Sequence, residues 1–97
     1  MAGYLRIGIM NLYLVERTDD WQHGDFDAMV VVAKDEESAR QIHPSQGGPL
    51  RSGEPMEVLW KDTYSPWVKS PDLVHVTLLG TSIEQEERVV LASFNAG

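Results

Sequence analysis

Ninety-seven residues with 42% hydrophobic and 24% charged side chains make one domain around one core, neither disordered nor membrane-spanning by composition. Eight Lys and Arg stand against 15 Asp and Glu, a formal charge of -7 that disfavours nucleic-acid binding and favours a basic protein partner, although a solubilising surface is the simpler reading. There is no cysteine, which removes disulfides, thiolate nucleophiles and Cys-based zinc sites.

The first ten residues carry two glycines, no signal-peptide core and no cleavage pattern, so they read as an extension with Met10 as an alternative start. Leu12 to Thr18 is aromatic and aliphatic and predicts the first strand, with Leu12 and Leu14 on one face and Tyr13 and Val15 on the other. Asp19 to Asp27 is a polar connection. Ala28 to Ala33 is a continuous apolar run, expected to be a central strand buried on both faces and paired with the first.

Asp35 then stands as a helix N-cap, with Glu36 and Glu37 in the first turn where carboxylates complement the helix dipole. Pro44 ends this helix at His43 after about two turns, leaving only Ala39 and Ile42 to face inward. Ser45 to Pro55, with three glycines and two prolines, predicts a mobile loop or lid without regular structure. Met56 to Trp60 is either a short strand or a helical turn, and Lys61 to Pro66 returns to turn residues. Val74 to Leu79 alternates as a strand with Val74, Val76 and Leu78 inward, and Arg88 to Phe94 reads as the closing strand.

No chemical motif stands out. The His residues, 23, 43 and 75, lie on separate elements, and His43 is expected to sit against the last carbonyls of its helix. None of Ser45, Ser52, Ser65, Ser70, Ser82 and Ser93 sits in a glycine-flanked nucleophile elbow, and Gly47-Gly48 lacks the Lys-Ser/Thr of a phosphate loop. Asp19, Asp20, His23, Asp25 and Asp27 form a dense cluster of oxygen and nitrogen ligands, but their spacing departs from a calcium loop, so no metal or cofactor is expected. Trp21, Trp60 and Trp67 lie in or beside loops; Trp21, among acids, is the best placed to anchor a partner.

Leu12 to Thr18, Asp27 to Ala33, Glu36 to Pro44 and Val90 to Gly97 together resemble a group of short uncharacterised proteins of tailed bacteriophages and prophages. The resemblance runs from Met10 onward and carries no assigned activity. It implies a small protein made in the bacterial cytoplasm.

The expectation is therefore an α+β fold: a mainly antiparallel sheet of four or five strands with one short helix, Asp35 to His43, packed on one face. Val74 to Leu79 is expected to pair with the C-terminal strand. The expected core is Leu12, Leu14, Met29, Val30, Val31, Val32, Ala39, Ile42, Val74, Val76, Leu78, Val89, Leu91 and Phe94. The expected function is a non-enzymatic, cytoplasmic phage accessory protein that binds a host or phage protein through Asp19, Asp20, Trp21, Asp25 and Asp27. The alternative is a structural domain that forms a homodimer or larger homo-oligomer through exposed sheet edges.

Overall fold

Period-two alternation and β-branched content produce four strands, β1 (Met10–Arg17), β2 (Asp25–Ala33), β3 (Val74–Ser82) and β4 (Arg88–Asn95), in a computed structural model that describes residues 9–20, 24–47, 51 and 53–95. All neighbours are antiparallel and the order is β3-β1-β2-β4. The expected pairing of β1 with β2 holds, Tyr13 lying opposite Val31 and Val15 opposite Met29.

The expected pairing of β3 with β4 is overturned: β3 lies on the free side of β1 and β4 on the free side of β2, so the two strands form opposite edges. A five-residue link, 83–87, reads as a hairpin, yet its reach of roughly 20 Å exceeds the three strand spacings, about 14 Å, between the edges. It crosses the end of the sheet, where the Glu87 carboxylate accepts the Lys34 backbone N–H at 3.1 Å.

Short helices cover one face. α1 (Glu36–Gln41) begins at Asp35, whose side chain accepts the Ser38 N–H at 2.8 Å, and Ala39 and Ile42 are buried as expected. Of the two forms left open for Met56 to Trp60, strand or helical turn, the structure takes the helical one, giving a second helix, α2 (Met56–Lys61), with Leu59 buried. Pro44–Gly47 is a 3₁₀ turn that begins at the helix-ending proline and runs into the stretch, Ser45 to Pro55, expected to lack regular structure.

The core lies between these helices and the sheet face bearing Tyr13, Val15, Met29, Val31 and Ala33, joined by Trp67, Val68 and Val74. Leu12, Leu14 and Val30, expected in the core, are half-buried on the opposite face, where none of the described helices packs, while Val32 on that face is fully buried as expected. Tyr13 and Val15 take their place, because two apolar faces on β1 left parity undecided until the helices chose one. Leu78, Leu91 and Phe94 were also expected inside and are 60%, 67% and 49% exposed. All three lie on edge strands, where cover on either face runs out.

Candidate binding site

The α1 helix stops at Pro44, and the 3₁₀ turn that follows lays Pro44, Ser45 and Gly47 beside β4. Gly47 suits a close approach there: a Cβ on it would stand 3.0 Å from Val89 Cβ, tighter than ordinary contact. Between this turn, the segment Asp62 to Pro66 and the core-side face of β4 runs a groove of about 840 Å³. Phe26, Val89, Ala92, Phe94, Pro44 and Pro66 make its apolar walls, and Arg51, Asp62 and Tyr64 its rim. Phe26 and Phe94 meet edge-to-face with centroids 5.0 Å apart. β4 is an edge strand, so its outer backbone row has no strand partner among the described residues.

His43 fixes the far wall. It is 1% exposed, not against the last carbonyls of α1, and burial first, then the Arg51 charge, pushes its pKa down to about 4, so the ring is neutral at pH 7. Nδ1 accepts the Ser45 backbone N–H at 3.1 Å, which leaves the proton on Nε2 to be donated to Ser65 Oγ at 2.7 Å. Ser65 Oγ also accepts the Trp67 backbone N–H at 3.3 Å. The pair has the wrong polarity for a nucleophile and its base, since the imidazole lone pair points at Ser45 rather than at the hydroxyl. Instead the ring ties the 3₁₀ turn to the Ser65 loop. Trp60 closes it from the side, its ring 5.2 Å from the imidazole at 84° and its Nε1–H donated to the Gln41 carbonyl at 2.8 Å.

The rim charges are tied to one another. Arg51 donates to Glu54 at 2.7 Å and to Asp62, and these bonds hold its pKa above the ordinary value. The Tyr64 backbone N–H, then Arg51, hold the Asp62 carboxyl below the usual range. On the rim itself the charges of Arg51 and Asp62 cancel, with Glu54 bonded to Arg51 outside the groove lining.

The acids of the β1–β2 connection lie at the Arg17 end of the sheet. Arg17, its side chain 5% exposed, holds Asp19 through two bonds of 2.6 and 3.0 Å, donates to the Phe26 carbonyl at 3.0 Å and stands 3.7 Å from Asp25. Its guanidinium lies 5.8 Å from the centre of the buried Trp67 ring. The Asp19 bond raises the Arg17 pKa, and the same bond lowers that of Asp19. Asp20 is exposed, Asp27 Oδ1 is buried without a hydrogen-bond partner among the described residues, and Trp21 lies outside the described residues. The structure thus joins Asp19 and Asp25 through a cation that sequence reasoning missed. No group of three or more His, Asp or Glu side chains among the described residues is arranged to hold a metal ion.

The groove also went unread in the sequence. Its walls are apolar strand and turn residues, and the one chemical signal was Arg51, set among glycines and prolines. No family model matches the chain, and neither a curated protein nor a solved structure matches it.

Proposed function

We propose that this chain is a non-enzymatic binding domain that holds an extended segment of a protein partner along β4, with alternate side chains of the segment seated in the groove. The observation that supports it most is the coincidence of an edge strand with an apolar groove on that strand's own face, the arrangement β-strand addition uses. Main-chain hydrogen bonds to the edge supply affinity, and the walls of Phe26, Val89 and Phe94 select apolar side chains. The charge of -7 on the chain as a whole favours a segment that is basic rather than acidic. The described residues contain no helix long and apolar enough to cross a membrane. In the phage setting that the sequence resemblance implies, the partner is a host or phage protein of the bacterial cytoplasm.

Fluorescence anisotropy with two labelled peptides, one alternating Val with Lys and one alternating Val with Glu, tests this reading. The basic peptide binds, and Ala92→Arg, which fills the groove floor, weakens it at least tenfold. Val90→Lys, at an exposed position of the same strand, weakens it without touching the core. Equal binding of both peptides, or binding indifferent to both substitutions, rejects the reading.

A second reading places the partner on the acidic connection, supported by the exposed Asp20 and the overall charge. Asp19 and Asp25 serve Arg17, so Asp20→Asn is the clean substitution: loss of a basic partner on that change alone favours the connection over the groove.

A further inference from the structure

We infer that the segment the groove takes is β4 of a second copy, the two edge strands pairing antiparallel about a two-fold axis; the inference rests on the groove reading and names its occupant. β4 has the composition the groove selects: Arg88-Val89-Val90-Leu91-Ala92-Ser93-Phe94-Asn95 is apolar, extended and free of acids, and its one charge is basic. Two copies of a chain of charge -7 repel, except where their surfaces are neutral or positive. Residues 89–95 offer a run of that kind, with no Lys, Pro or inward charge to guard the edge.

Side-chain parity fixes the register. The ladder with β2 is irregular at Val90, and from Leu91 to Asn95 β4 alternates, Ala92 and Phe94 on the groove side and Leu91, Ser93 and Asn95 on the other. Directly opposed residues in an antiparallel pair share a face, so an axis through Ser93 sets Ala92 against the second copy's Phe94 and Leu91 against its Asn95. Each exposed Phe94 ring then enters the other groove over the small Ala92 side chain, and the 67% exposed Leu91 is covered. Isologous pairing closes after two copies. Five paired residues make a strip about 17 Å long, less than a standard interface, so the dimer dissociates in the micromolar range.

Sedimentation equilibrium of the full chain from low micromolar to millimolar concentration reads this directly. The expected mass rises from 10.9 kDa toward twice that value. Ser93 is exposed and lies on the axis, so Ser93→Lys and Ser93→Asp each set like charges face to face and weaken association about tenfold, while an equimolar mixture of the two associates again. Recovery in the mixture shows that each variant is folded. A wild-type mass fixed at 10.9 kDa throughout overturns the inference, as does a dimer unchanged by either Ser93 variant or one dissolved by Leu78→Lys on β3. A monomer that still binds the Val-Lys peptide loses the second copy but keeps the groove; a monomer that binds no peptide loses both.

Discussion

His43 is the residue whose environment departs furthest from what its neighbours in sequence suggest. Its folded pKa of about 4 lies below the value near 6.5 of the unfolded chain. Between these values the unfolded state binds more protons, so stability falls as pH drops from about 6.5 to about 4 and levels off below. The full effect is on the order of 3 kcal/mol. Urea titrations across that range are expected to show the slope, and His43→Gln, less stable by about 1–2 kcal/mol at pH 7, to lose it. Arg17 gives the second prediction at this scale. Arg17→Met leaves the half-buried Asp19 and Asp25 without their cation and is expected to cost about 2–3 kcal/mol in thermal or urea unfolding. Neither role was legible beforehand. A histidine before a proline reads as a helix end, and an arginine closing a strand reads as surface; burial of each is decided by residues more than 20 positions away, Ser65 for His43 and Trp67 for Arg17.

Elements with local causes could be read from the sequence, and those with distant causes could not. Asp35, Glu36, Glu37 and Pro44 delimit α1 within a few residues, and the structure puts the cap where the sequence does. Asp35→Ala is accordingly expected to cost about 1 kcal/mol and Asp35→Asn much less, since Asn also caps; differential scanning calorimetry checks both. The helix of Met56 to Lys61 was ambiguous because five apolar and charged residues fit either period, and burial of Leu59 settled it. The 3₁₀ turn at Pro44–Gly47 was hidden by the same glycines and prolines that enable it. Gly47→Ala forces this turn away from Val89 and is expected to cost about 1–2 kcal/mol and to weaken peptide binding in the groove, a pairing of losses that Asp35→Ala does not share.

At the scale of the whole molecule, strand order decides which edges are open. Alternation, one continuous apolar run and β-branched content located every strand, but nothing in Val74 to Ser82 or Arg88 to Asn95 records that they are opposite edges rather than a hairpin. That fact explains why Leu78, Leu91 and Phe94 are exposed although their hydrophobicity placed them inside: each sits on an edge strand. The acidic connection attracted attention in the sequence because charge is visible there; a groove built from apolar walls beside the backbone row of an edge strand is visible only in three dimensions. The claim on which the rest stands is that the outer edge of β4 is where extended chain docks. Backbone amide shifts of the ¹⁵N-labelled protein, followed on titration with the Val-Lys peptide and again on dilution, test it most directly. The account predicts changes concentrated in residues 89–94, with Ser45 and Tyr64 responding across the groove and residues 74–79 of β3 quiet; changes centred on β3 or on residues 19–27, with β4 unmoved, would contradict it.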